Sequence, residues 1–161
     1  MTHRIRILAP VLLGGWLAAC GASPGPDSDV LLGAWSLSTD VEVDATTDIE
    51  DTRIVYRPDG TSDYSAVLRV ADPGAPGGSR AFDLDADVRW TLEETVLTRT
   101  LDAIEVTPRA DTPQDREIAA LYRADLSSSP PSRFIIESAG ETELRLLDPD
   151  TGETLVFART G

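Results

Sequence analysis

The sequence predicts an all-β fold: an antiparallel, up-and-down β-barrel with one short helix before its last strands. Three observations lead there. From about residue 30, apolar and polar residues alternate with period two. Tight-turn residues separate one alternating stretch from the next. A single segment, about 113–124, has helical spacing instead. Alternation marks strands with one face to a core and one to water. Many consecutive antiparallel strands with short turns favour closure into a barrel, because closure removes exposed edges.

The strands follow in order. Over residues 34–44, Trp35, Leu37, Val41 and Val43 share one face, and Ser36, Ser38, Asp40, Glu42 and Asp44 the other. Ile49–Arg57 and Thr61–Val70 flank Pro58-Asp59-Gly60, a strong tight-turn signal. The Pro/Gly-rich stretch 71–79, ADPGAPGGS, reads as a long mobile loop. In 81–93 the alternation is clearest. Phe82, Leu84, Ala86, Val88, Trp90 and Leu92 face inward, while Asp83, Asp85, Asp87, Arg89, Thr91 and Glu93 face out. Thr95–Leu101 pairs back through Glu93-Glu94. In Ala103–Thr107 the inward parity shifts, which predicts a bulge or corner near Asp102. Arg133–Ser138, Thr142–Leu147 and Glu153–Arg159 complete the set, joined at Ala139-Gly140 and at 148–152.

The helical segment starts at Thr112-Pro113-Gln114-Asp115. Thr112 suits the cap, Pro113 the first helical position, and Asp115 the acidic place of a capping box. Ile118, Leu121 and Tyr122 form an i, i+3, i+4 stripe. Such a helix serves either as a lid across one barrel end or as a plain connector with a core-facing stripe.

The N-terminus has a different character. A short basic opening with Arg4 and Arg6 precedes the apolar run 7–19, which is too short to span a bilayer. It ends at Leu17-Ala18-Ala19-Cys20. This pattern is that of a secretory signal, and its exit resembles the lipobox of bacterial lipoproteins. The resemblance implies a lipid on the Cys20 thiol, cleavage before it, and acylation of the new amino terminus. Gly21 rather than Asp follows, which in that family points to the outer membrane, facing the periplasm. The chain then divides into a signal peptide (1–19), a lipidated Cys20 with a flexible tether (20–29), and a barrel domain (30–161).

Composition narrows the chemistry. Of 161 residues, 28 are acidic and 14 are Arg, with no Lys, and the net charge is −14. Without Arg4 and Arg6, 12 Arg face 28 acids, a net charge of −16. That balance disfavours nucleic acid and anionic lipid surfaces as partners. The sole histidine, His3, and the sole cysteine, Cys20, both lie in the N-terminal segment. A processed chain therefore has no His, no Lys and no free thiol, so the usual general base, Schiff-base amine and thiol nucleophile are missing. Nitrogen and sulfur ligands for zinc are missing too. No catalytic residue, metal or cofactor is expected.

Gly33-Ala34-Trp35 opens the first strand and Arg159 lies near the end of the last. This resembles the lipocalins and lipocalin-like barrels, with the resemblance running over about residues 31–160. Residues 56–61, YRPDGT, and the Trp90-Thr-Leu…Leu97 stretch are similar to those of small lipocalin-like domains of bacterial secreted proteins. The resemblance implies that Arg159 lies against Trp35 and closes the barrel floor.

Other constellations carry a sharp and a plain reading. Asp83, Asp85 and Asp87 stand on one strand face, either a calcium site or a solvated wall; their spacing is too wide to wrap an ion. Residues 148–153 resemble the start of a calcium loop but lack its sixth-position glycine, so a hairpin turn fits better. Glu93 and Glu94 are strand neighbours that point apart. Trp35 and Trp90 either stack on a ligand or pack the core. Ser127–Ser129 beside Pro130-Pro131 is linker chemistry. The expected function is a non-catalytic, membrane-anchored binding module that holds a small apolar ligand near the 71–79 loop and the helix. An envelope protein-interaction or scaffold role, including a protease-inhibitor-like one, is the alternative, with an envelope protein as partner and a solid barrel core.

Overall fold

The computed structural model describes residues 27–160. The segment read as a signal peptide (1–19), Cys20 and most of the expected tether (20–29) lie outside the described residues. A one-turn 3-10 helix, Ser28–Leu31, leads into nine strands and one α-helix. The strands are β1 (Gly33–Leu37), β2 (Val41–Asp44), β3 (Thr47–Tyr56), β4 (Thr61–Ala71), β5 (Ser79–Glu93), β6 (Val96–Pro108), β7 (Ser132–Ala139), β8 (Glu143–Leu147) and β9 (Thr154–Arg159). Helix α1 (Pro113–Ser127) sits between β6 and β7.

All pairings are antiparallel between neighbours in the chain, except where β1 joins both β9 and β3. That double pairing closes a ring of eight strands, and β2 adds only to β3. The ring is complete within residues 27–160, so nothing outside this span is needed to close it.

The wall is uneven. Strands β3 to β6 run 10 to 15 residues, while β1, β8 and β9 run five or six. The β6–β7 ladder covers only Val96↔Ile135 to Arg99↔Ser132. Beyond Arg99, β6 leaves β7 and α1 packs against it instead. The barrel is thus a short closed ring at its floor and a tall half-wall above, with α1 covering the open side.

Two apolar clusters fill the interior. The floor cluster gathers Trp35, Tyr56, Trp90, Leu97, Phe134, Leu144, Leu146 and Phe157 among others. The upper cluster joins Ala66, Leu68, Phe82, Leu84 and Val106 to Ala119 of α1. Tyr122 adds a ring contact to Phe82, 5.9 Å between centroids.

The inward set of β5 is as its alternation predicts: Phe82, Leu84, Ala86 and Trp90 are buried. At Asp102 the register shifts, so that Val88 faces Leu101 and Asp87 faces Ala103. The parity break seen in the sequence is therefore a bulge within one continuous strand. A second bulge, which the sequence does not announce, places Asp51 and Thr52 opposite Ala66, with Asp51 at φ +52°.

Three expectations need correction. The 34–44 stretch is not one strand. It breaks at residues 38–40, and Val43 is exposed, because β2 lies off the ring and has no core beneath it. On α1, Leu121 is 66% exposed. The covered stripe is Asp115, Ile118, Ala119, Tyr122 and Leu126, and at about 100° per residue Leu121 stands roughly 240° around from Asp115. The helix also runs to Ser127 rather than about 124, which lets Leu126 reach the barrel; Ser128 then caps it by donating to the Asp125 carbonyl. The 71–79 loop is closed by hydrogen bonds from Asp72 N to the Gly78 carbonyl and from Gly78 N to the Ala75 carbonyl.

Candidate functional site

Trp35 and Arg159 are cross-strand partners in the β1–β9 pair. The guanidinium lies 4.2 Å from the indole centroid. Arg159 also donates to three carbonyls: Leu32 at 2.7 Å, Val30 at 2.9 Å and Glu141 at 2.6 Å. Trp35 Nε1 donates to the Leu31 carbonyl at 2.7 Å. Gly33, at φ +108°, leaves the room: a Cβ there would lie 2.9 Å from Arg159. Every polar atom of this group has a partner and Trp35 has no exposed surface. It is a seam between the first and last strands and offers nothing to a ligand.

Trp90 is likewise core. It meets Tyr56 edge-on, 5.6 Å between centroids, and its Nε1 donates to the Thr61 carbonyl. The outer wall carries Asp83, Asp85 and Asp87 as spaced, solvated carboxylates. Arg109 pairs with Asp83 and Arg57 with Asp63. Among the described residues no cluster of acids is arranged to hold a metal. Asp148 accepts from Asp150 N and Thr151 N, as a turn residue does. No helix among the described residues is long and apolar enough to cross a membrane.

At the 71–79 loop and the start of α1, where the sequence places ligand binding, there is a surface cleft of about 610 Å³. Its charged groups are committed to each other. Arg80 bridges Asp72 and Asp115, both with side chains largely covered. Thr112 accepts from Asp115 N at 3.1 Å and its hydroxyl donates back to the Asp115 carboxylate. The Thr112 hydroxyl and the Arg80 guanidinium together hold the Asp115 carboxyl below its ordinary value. This is a clamp that fastens α1 to the β4–β5 loop.

The interior cavity lies elsewhere, between the two apolar clusters. It measures about 260 Å³. Ile49, Ile54, Leu84, Ala86, Val88, Leu101 and Ile104 supply apolar walls, Leu126 and Pro130 stand at the α1–β7 end, and Ser62, Tyr64 and Arg99 supply polar atoms. Such a lining, mostly apolar with a few polar groups, is the usual make-up of a small-molecule site. The mouth therefore faces the end of α1, not its start.

The polar groups of this middle layer escape the sequence reading. Arg99 occupies an inward position between Leu97 and Leu101, opposite Trp90. Its guanidinium lies 4.2 Å from the centre of the Phe134 ring. Beside it are Tyr56, which is buried, and Tyr64, which is half-buried. Burial pushes both phenols up, and the Arg99 charge opposes that rise. No aligned hydrogen bond reaches the buried Tyr56 or Thr52 hydroxyl; Arg99 stands beside the first and the Tyr64 hydroxyl beside the second. One signal was available: in 97–101, LTRTL, an arginine holds the place where alternation calls for an apolar residue.

No family model and no curated protein matches this chain. Among solved structures it is similar to a lipocalin-like protein from Bacteroides uniformis, with 14% identity over 81% of this chain and 99% of that one and a TM-score of 0.41. It is also similar to an uncharacterized protein from Bacteroides eggerthii, with 14% identity over the same shares and a TM-score of 0.43.

Proposed function

We propose that this chain is a non-catalytic barrel that binds a small, mostly apolar molecule in its interior, held at the cell envelope by lipid on Cys20 and facing the periplasm. The observation that carries the binding reading is the cavity of about 260 Å³ between two otherwise packed clusters, walled by aliphatic side chains. A barrel of this size can be filled by side chains alone, and here the middle layer is not. The anchoring part of the reading rests on the Leu17-Ala18-Ala19-Cys20 exit of an apolar run. The non-catalytic part rests on the lack of His, Lys and a free thiol beyond residue 20.

Native mass spectrometry of residues 21–161, purified from the source envelope, tests the binding reading. A retained mass of a few hundred daltons supports a carrier. A bare chain, or a chain with a second protein attached, counts against it. Labelling cells with a clickable fatty acid tests the anchor: wild type takes the label and Cys20→Ala does not.

A second reading, an envelope interaction module, draws on the outer wall. There Asp85 faces Glu105 across one strand pair and Asp87 faces Asp63 across another, where Arg57 meets Asp63 alone. Like charges placed directly opposite cost stability, and a cationic partner would relieve them.

A further inference from the structure

We infer that the molecule bound in the cavity carries one carboxylate, and that Arg99 is its counter-charge. The inference rests on the binding reading above and sharpens it from an apolar ligand to an apolar monoanion.

Three arginines lie on the inward side of the wall, and the fold treats them differently. Arg80, in register with Val70 and near Phe82, is neutralised by Asp72 and Asp115. Arg159 spends its donors on three backbone carbonyls. Arg99 has neither. Among the described residues no carboxylate lies within 4.0 Å of it; its neighbours are the face of Phe134 and the Tyr56 hydroxyl, neither of which carries a negative charge. In a chain with 28 acidic residues, an inward cation without a carboxylate is a specific arrangement. Arg99 is half-buried, so its charge, partly withdrawn from water without an anion beside it, carries part of the cost of an unpaired buried ion. A ring face at 4.2 Å offsets only part of that cost.

The surroundings match a carboxylate head. The guanidinium presents paired N–H donors in a plane, the geometry that carboxylates accept. The buried Tyr56 hydroxyl stands beside the Arg99 guanidinium without an aligned hydrogen bond, so its proton is free to be donated. Because burial keeps that phenol protonated, it remains a donor. Arg99 lines the cavity together with Tyr64, and the aliphatic wall from Ile54 to Ile104 continues away from it. A polar head at Arg99 with an apolar tail along that wall satisfies both halves.

The test uses decanoate and 1-decanol, two probes alike in tail and different in head. Residues 21–161 are unfolded and refolded to strip co-purified lipid, then titrated by calorimetry with each probe at pH 7.5. Wild type is expected to bind decanoate tighter than decanol by about tenfold or more, the scale of a charge-assisted hydrogen bond. Arg99→Met should erase the preference while leaving decanol affinity within about twofold, and Arg99→Lys should restore part of it. Thermal melts guard against a folding artefact. Arg99→Met without probe should melt at or above wild type, since it removes an uncompensated charge, and decanoate should raise the wild-type midpoint only. Equal affinities in wild type, or a preference that survives Arg99→Met, would overturn the assignment of Arg99 while leaving apolar binding intact. Failure of both probes to bind would overturn the binding reading itself, and this inference with it.

Discussion

Arg159 lies over Trp35 at 4.2 Å and, through the same guanidinium, holds the carbonyls of Val30 and Leu32, which flank Leu31 just before the chain enters β1. One side chain from the last strand thereby fixes both the ring and the backbone of the first. The 3-10 turn that carries Leu31 is pinned from a second direction by Trp35 Nε1.

Gly33→Ala tests how tight this seam is. The added Cβ would come within 2.9 Å of Arg159 at a backbone angle of +108°. A loss of about 1–3 kcal/mol is expected, the scale of a strained backbone position. Urea denaturation measures it. A change below about 0.5 kcal/mol would show that Arg159 swings aside freely.

Tyr56→Phe should have the opposite sign to most core changes. The buried Tyr56 hydroxyl makes no aligned hydrogen bond, with only Arg99 beside it, so removing it relieves a poorly met polar group. The ring contact to Trp90 stays. Stability in urea should be unchanged or rise by up to about 1 kcal/mol. A loss above about 1 kcal/mol would mean the hydroxyl has a bond in solution.

The clamp at Asp115 gives a pH dependence. Its folded pKa is lowered from 3.8, first by the Thr112 hydroxyl and then by Arg80. A lowered acid contributes stability that is fully present above its ordinary value and is lost as pH falls through the folded value. Urea midpoints of wild type and Asp115→Asn, compared between pH 6 and pH 2.5, should therefore converge toward the acid end. Parallel curves would remove Asp115 from the acid response. Thr112→Ala should cost about 1 kcal/mol by losing the cap.

The two faces of α1 should respond differently. Ala119 is buried in the upper cluster, and Ala119→Leu should cost about 1–3 kcal/mol through overpacking. Leu121→Gln, on the exposed face, should stay within about 0.5 kcal/mol. Thermal melts of the two variants side by side decide it; equal losses would mean that α1 sits differently on the barrel.

Where the sequence was legible, the physics was local. Alternation over 82–92 shows a face because side-chain direction in a strand depends only on parity. The Asp102 bulge shows for the same reason, as a slip in that parity. The bulge at Asp51 leaves no such trace: Glu50-Asp51-Thr52 is an ordinary polar run, and the left-handed backbone falls on an aspartate rather than a glycine. Val43 and Leu121 mislead because alternation and helical spacing describe a face without saying whether anything lies opposite. Arg99 stayed hidden for the same cause. Its inward parity is readable, but the space around it depends on Phe134, Tyr56 and Leu126, which arrive from three other elements.

Because β6 parts from β7 at Arg99, α1 completes the wall with side chains alone. Its backbone hydrogen bonds stay within the helix and its caps, and among the described residues none runs from α1 to a strand. The eight-strand ladder therefore does not depend on α1 being seated. Helix and ring are therefore expected to open separately, one exchanging its amide protons while the other keeps them. Release of α1 breaks the Asp115–Arg80 ion pair and uncovers the apolar contacts of Ala119 and Tyr122, and costs no strand pairing. Amides of α1 should thus exchange well before those of the β4–β5–β6 wall. The same partial opening widens the way to the interior without unfolding the barrel.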